Sequence, residues 1–117
     1  MVDKIIIEDL EVRSRIGITP AERRKPQRLL ITIEIEHPLR KAGATDDLRH
    51  TIDYDTVSRG VRALAGRGER NLIERMAEEV AQLVLKEFGA KSARVTVKKF
   101  ILPETRHVAV SIDRSRR

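Results

Sequence analysis

Cysteine is absent from the 117 residues. That excludes disulfides, thiolate nucleophiles and cysteine metal sites, and it suits a reducing compartment. Tryptophan is absent too, and aromatics make up only 3% of the chain: Tyr54, Phe88 and Phe100. The core must therefore be aliphatic, and the aromatic platforms that single-stranded nucleic acids stack on are missing. No apolar run approaches the roughly 20 residues of a membrane span. The opening MVDKIIIEDL places acids directly after three apolar residues, which does not fit a signal peptide. There is no glycine-rich phosphate loop and no local Ser-His-acid arrangement. His37, His50 and His107 lack metal-ligand spacing and read as surface or loop residues. A soluble, cytoplasmic protein with no metal and no cofactor is expected, with no membrane partner.

What is present is charge and aliphatic bulk. Charged residues make up 36% and hydrophobic residues 40%, a globular composition at a length that suits one domain over residues 1–117. The net charge is +6 and the pI near 10.2, a balance that can favour nucleic acid or anionic ligands. The basic residues are dispersed among 18 acids, however, and cluster only at Arg23-Arg24-Lys25 and in the tail at Arg114, Arg116 and Arg117. This reads as a solvated basic surface, and no nucleic-acid partner is expected.

Periodicity gives an order of elements. KIIIEDLEVR, Lys4 to Arg13, is β-branched and apolar and reads as a strand. A polar stretch from Ser14 to Gln27 is broken by Gly17, Pro20 and Pro26. In RLLITIEIEHPL, Leu29, Ile31, Ile33 and Ile35 face one way and Leu30, Thr32, Glu34 and Glu36 the other, a half-buried strand. Lys41 to Thr51 reads as a loop. Asp53 or Asp55 caps a helix with Val57, Val61, Leu64 and Ala65 at helical spacing, ended by Gly66 and Gly68. Asn71 opens a second helix striped with Ile73, Met76, Ala77, Val80 and Val84 and stopped by Gly89. Two strands finish the chain, one with Val95 and Val97 on a face, the other with Val108, Val110 and Ile112. The sum is α+β: a four-stranded antiparallel sheet with two helices on one face, in the order ββααββ. Such a sheet leaves edges uncovered, and oligomerisation is one remedy.

Four side chains invite a chemical reading, and each has a plain structural alternative. Strand alternation puts Lys99 on the face of Val95 and Val97, and Lys98 on the other. A partly desolvated lysine can exchange protons near neutrality; a snorkelling lysine at a sheet end is the alternative. Glu74 follows Asn71 at capping-box spacing. At the same place a carboxylate beside free backbone N–H groups could bind a flat amidine-like ring edge, with the amides of Ile73 or Glu74 serving that ring's carbonyl. Glu22, next to Arg23, Arg24 and Lys25, reads either as a surface ion pair or as a site acid. Tyr54 reads as a core tyrosine or as a group that stacks on a ligand or moves a proton.

Taken together, IGITPAERRKPQ, ATDDLRHTIDYDTV, NLIERMAEEVA and VTVKKFILPETRHVAVSI resemble, in order and at matching spacings, the dihydroneopterin aldolase family of folate biosynthesis. The most specific parts are Gly17 with Glu22, Pro26-Gln27, Thr45-Asp46, Asp53-Tyr54 and the Leu72 to Ala77 segment. The resemblance implies the tunnelling fold, in which sheets from several subunits form a barrel with helices outside, commonly as a homo-oligomer, a tetramer or an octamer of two rings. It implies active sites between subunits and a metal-independent, Schiff-base-free retro-aldol cleavage. That reaction splits 7,8-dihydroneopterin into 6-hydroxymethyl-7,8-dihydropterin and glycolaldehyde, with 2′-epimerisation as a side activity. The ring serves as electron sink, so the protein has protons to move and a ring to hold.

Residue by residue, the resemblance implies Lys99 as the catalytic lysine and Glu74 as the pterin anchor, with the backbone of Ile73 beside it. Tyr54 then meets the side-chain hydroxyls, and Glu22 lies near the diol and the lysine. The chain departs from the family where Lys99 is followed by Phe100 rather than proline, and a gapless match to some members selects Lys98 instead. Alternatives are a dihydroneopterin triphosphate 2′-epimerase and a non-catalytic basic binding module.

Overall fold

The aliphatic stripes become one face of a single curled sheet. In a computed structural model, which describes residues 2–116, the strands are β1 Lys4–Ile16, β2 Gln27–Glu36, β3 Glu69–Arg70, β4 Ser92–Lys99 and β5 Val108–Ser115. The helices are α1 Pro20–Arg23, α2 Arg40–Thr45, α3 Tyr54–Gly66 and α4 Ile73–Glu87, with a 3-10 turn at Leu48–His50. The four long strands run antiparallel, as the alternating runs predict, and lie side by side in the order β1-β2-β4-β5. The structure adds β3, two residues that pair in parallel with Arg15 and Ile16 on the outer side of β1. Nothing in the periodicity of so short a segment announces a strand. Short helical turns also occupy the two stretches read as loops, α1 before β2 and α2 with the 3-10 turn before α3.

Period-two alternation in β2 buries Leu29, Ile31, Ile33 and Ile35, while β4 buries Ala93, Val95 and Val97 beside them. Helix α3 contributes Val57, Val61 and Ala65, and α4 contributes Ile73, Met76, Ala77, Val80, Ala81, Val84 and Leu85. Helix and strand stripes close on each other to give one aliphatic core. At about 25 cal/mol per Å² of apolar area, each fully buried Val, Leu, Ile or Met among them is worth roughly 1.5–3 kcal/mol, and the alanines less. Asp53 caps α3 by accepting from the Asp55 N–H, at the first of the two positions the sequence allows. Gly89, at φ 69°, lies just past the end of α4 and takes a left-handed conformation that costs a glycine little.

The other sheet face is polar. A bulge between Ile7 and Leu10 puts Asp9 at φ 53°, where its N–H meets the Thr32 hydroxyl at 3.0 Å and its carboxylate meets Lys98 at 2.9 Å. The Lys98 hydrogen bond holds Asp9 below the usual carboxylate range. Lys98 is thus occupied on the face away from the helices. Two edges stay open: the outer side of β5, and the outer side of β1 except where β3 covers Arg15 and Ile16.

Candidate functional site

The site begins with the end of β4. Lys99 continues the buried row of Val95 and Val97 and lies across the sheet from Leu29 and Val108. Its side chain is only 11% exposed, and its ammonium reaches Glu22 Oε2 at 3.5 Å, joining residues 77 apart in the chain. Strand parity therefore places Lys99, not Lys98, on the helix side.

Glu22 is held by a device local to its loop. TPAE carries the T-x-x-E signature of a capping box, and α1 has that box in full. The Glu22 N–H donates to the Thr19 hydroxyl oxygen at 3.2 Å, while the Thr19 N–H and hydroxyl both approach Glu22 Oε1 at 3.2 Å. The Thr19 backbone hydrogen bond is the main reason the Glu22 carboxyl is held below its ordinary range; burial opposes it and Lys99 reinforces it. The alternative reading of Glu22 as a partner of Arg23, Arg24 or Lys25 is overturned. Arg23 turns instead to Glu69 at 3.2 Å and to the carbonyls of Gly17 at 2.7 Å and Ile18 at 3.1 Å.

The small strand β3 ties this loop to the start of α4. The Gly17 N–H donates to the Arg70 carbonyl at 3.0 Å, just before Asn71 and Leu72 lead into the helix. Arg70 is itself a buried clamp. Its guanidinium makes a bidentate pair with Glu79 at 2.8 and 3.0 Å and donates to the carbonyls of Leu64 and Arg67 at 3.0 Å each. No motif in the sequence marks Arg70. An arginine between two helices, nine residues before a glutamate, is too common a pattern to single out.

The α4 terminus differs from the capping-box alternative. The N-cap is Leu72, not Asn71, and no side chain caps it. The first backbone N–H groups of a helix have no intrahelical acceptor, so those of Ile73 and Glu74 are free to meet an incoming oxygen. Among the described residues Glu74 makes no hydrogen bond or ion pair, and its side chain is exposed. Ile73 contributes its side chain to the core, which fixes the backbone it offers.

Tyr54 is neither a core tyrosine nor a neighbour bonded to this cluster. It opens α3, is 67% exposed, and has no hydrogen bond to another described residue. The structure thus joins Lys99 and Glu22 directly and ties their loop to Ile73 and Glu74 through β3; no bond among the described residues draws Tyr54 to them. No group of His, Asp or Glu among the described residues is arranged to hold a metal, and no helix there is long and apolar enough to cross a membrane.

A family model described as FolB, dihydroneopterin aldolase, matches residues 5–113. The chain belongs to the dihydroneopterin aldolase family. Among curated relatives in this family, the dihydroneopterin aldolase of Streptomyces coelicolor is 36% identical, the match covering 98% of this chain and 99% of that one. A dihydroneopterin triphosphate 2′-epimerase of Pseudomonas aeruginosa is 30% identical over 82% of this chain and 78% of its own. A Vibrio cholerae chain assigned as dihydroneopterin aldolase superposes with TM-score 0.96 at 36% identity, covering 99% of each chain. Escherichia coli dihydroneopterin aldolase, solved in complex with neopterin, superposes with TM-score 0.92 at 31% identity, covering 97% of this chain and 99% of that one. These likenesses agree with the α+β fold of a curled sheet and helices, and the resemblance drawn from four sequence stretches agrees with them.

Proposed function

We propose that this chain is a dihydroneopterin aldolase acting in folate synthesis, with Lys99 and Glu22 as its proton-handling pair and Glu74 with the Ile73 backbone as its pterin anchor. The observation that carries the reading is the Lys99–Glu22 pair, closed over 77 residues and tied by the Gly17–Arg70 hydrogen bond to an uncapped helix start with an unengaged carboxylate. The E. coli relative solved in complex with neopterin supports a pterin as the ligand.

The chemistry asks little beyond proton transfer. The bond between C1′ and C2′ breaks as the 2′-hydroxyl gives up its proton and becomes the aldehyde of glycolaldehyde. The electron pair enters the dihydropterin ring system, and the resulting enol takes a proton at C1′ to give the 6-hydroxymethyl product. Lys99, mostly shielded from water, supplies and removes protons at the ring and the enol, with Glu22 as its counter-ion near the diol. Glu74 accepts from the 2-amino and N3 edge, a charge-assisted and bidentate arrangement, and the Ile73 N–H meets the ring carbonyl. No metal and no Schiff base is needed.

Tyr54 contacts the side-chain hydroxyls of a substrate bound by a neighbouring subunit. Its exposure, with no hydrogen bond to another described residue, fits a residue that serves another copy's pocket. The open edges of β1 and β5 fit the assembly of several copies into a barrel, a tetramer or an octamer of two rings, by continuing the sheet. The charged, cysteine-free composition suits the cytoplasm, and the whole of residues 1–117 forms one domain.

The test is a product assay. Purified protein incubated with 7,8-dihydroneopterin should give 6-hydroxymethyl-7,8-dihydropterin and an equal amount of glycolaldehyde. The Pseudomonas relative makes 2′-epimerisation the competing reading. Dihydromonapterin without glycolaldehyde would establish that alternative and refute the aldolase.

A further inference from the structure

Thr19 divides the Glu22 carboxylate between two tasks. Oε1 is taken by the loop, at 3.2 Å from both the Thr19 N–H nitrogen and its hydroxyl oxygen. Oε2 is left for Lys99, at 3.5 Å. The same hydroxyl oxygen receives the Glu22 N–H at 3.2 Å, so a single threonine fixes both the backbone and the head group of the acid. Gly17 completes the cradle. A Cβ on Gly17 would lie 2.4 Å from Glu22 Cβ, 2.8 Å from Cδ and 2.9 Å from Oε2, so the carboxylate packs directly over a bare Cα. The charged group facing Glu22 from the sheet is Lys99; Arg23, next in sequence, is directed to Glu69 and to the carbonyls of Gly17 and Ile18.

We propose that Thr19 is a positioning residue of the active site: by engaging one oxygen of Glu22, it presents the other to Lys99. This rests on the aldolase reading of the Lys99–Glu22 pair. The capping box of α1 therefore does more than close a turn: the carboxylate that caps the helix is also the one aimed at Lys99. Two consequences follow. Without the Thr19 hydroxyl the acid samples other rotamers, and the reaction slows without loss of pterin affinity, because Glu74 and the Ile73 backbone hold the ring. The hydroxyl is the smaller of the two Thr19 hydrogen bonds that favour the ionised carboxylate, and the Thr19 N–H bond stays, so losing the hydroxyl makes the acid slightly easier to protonate and moves the acid side of the pH–rate profile slightly toward neutrality.

The experiment compares full-length wild type with Thr19→Val, which keeps the shape and loses the hydroxyl, and Thr19→Ser, which keeps the hydroxyl. Should the valine variant melt early, Thr19→Ala gives the same comparison. Turnover and KM are measured with 7,8-dihydroneopterin across pH. The Glu22 carboxyl is also titrated by ¹³C NMR on substrate-free protein. Thr19→Val should lower kcat about tenfold, leave KM within roughly twofold, shift the acid limb upward, and raise the Glu22 titration midpoint. Thr19→Ser should restore all four. Equal kcat and equal Glu22 titration in wild type and Thr19→Val would overturn the proposal. So would a serine variant as impaired as the valine one, or an effect confined to KM. If wild type cleaves no dihydroneopterin, the aldolase reading fails, and the NMR titration still decides whether Thr19 controls Glu22.

Discussion

Lys98 and Lys99 are adjacent, carry the same charge, and lie on opposite faces of one strand, so replacing each with methionine separates the site from the sheet. Lys99 projects to the helix side with 11% of its side chain exposed and Glu22 at 3.5 Å. Lys98 is 25% exposed on the polar face, 2.9 Å from Asp9. General acid–base catalysis is worth about 10²–10⁴-fold. Lys99→Met should therefore lower kcat by that range, or about 3–5 kcal/mol of barrier. Binding of the product pterin, followed by fluorescence titration, should change by less than about threefold, because the ring is held by other groups. Stability should fall only slightly, by no more than about 1 kcal/mol. Methionine fits the same apolar lane between Leu29 and Val108, and Glu22, which loses its ion-pair partner, stays hydrogen-bonded to Thr19 and 30% exposed, so it is not left as a buried unpaired charge. A melting temperature close to wild type is expected for a nearly inactive enzyme. Lys98→Met should also show a slightly lower melting temperature, from the lost Asp9 pair, but kcat within about twofold of wild type. An inactive Lys98→Met beside an active Lys99→Met would refute the assignment of faces to roles.

Other perturbations test the remaining parts. Glu74→Gln removes a carboxylate with no partner among the described residues and no part in a cap, so the melting temperature should hold while the pterin Kd rises about 10- to 100-fold by titration. Arg70→Met leaves the carbonyls of Leu64 and Arg67 and the Glu79 carboxylate short of their donor; chemical denaturation should show a loss of about 3 kcal/mol, with weaker pterin binding as β3 loosens. Glu79 is held below its ordinary value of 4.5, first by the Arg70 hydrogen bond. A depressed folded value means that this stabilisation is complete above the unfolded value and disappears as pH falls through the folded one. Melting temperatures should therefore drop more steeply on acidification below 4.5 in wild type than in Glu79→Gln. Tyr54→Phe and Lys99→Met, each nearly inactive alone, should regain activity when co-assembled, because a mixed interface pairs an intact Tyr54 with an intact Lys99. No recovery in verified mixed oligomers would show that each chain supplies its own Tyr54.

The sequence by itself determined the sheet faces and the helix stripes. Period two in RLLITIEIE and helical spacing in NLIERMAEEVAQLVL leave one arrangement that buries the aliphatic side chains, and the same alternation assigned Lys99 to the helix side. It also held the T-x-x-E of the α1 capping box, legible but outweighed by the neighbouring Arg23-Arg24-Lys25 cluster. Tertiary structure alone decided the partners. Glu22 and Lys99 are 77 residues apart and meet because β1, β2 and β4 lie side by side. The two-residue β3 exists because Arg15 and Ile16 offer it an edge. The cap of α4 moves from Asn71 to Leu72 and leaves Glu74 unengaged. Local spacing encodes which way a side chain points, since backbone geometry repeats every two or 3.6 residues; what it points at depends on chain segments brought together only by the closing of the core.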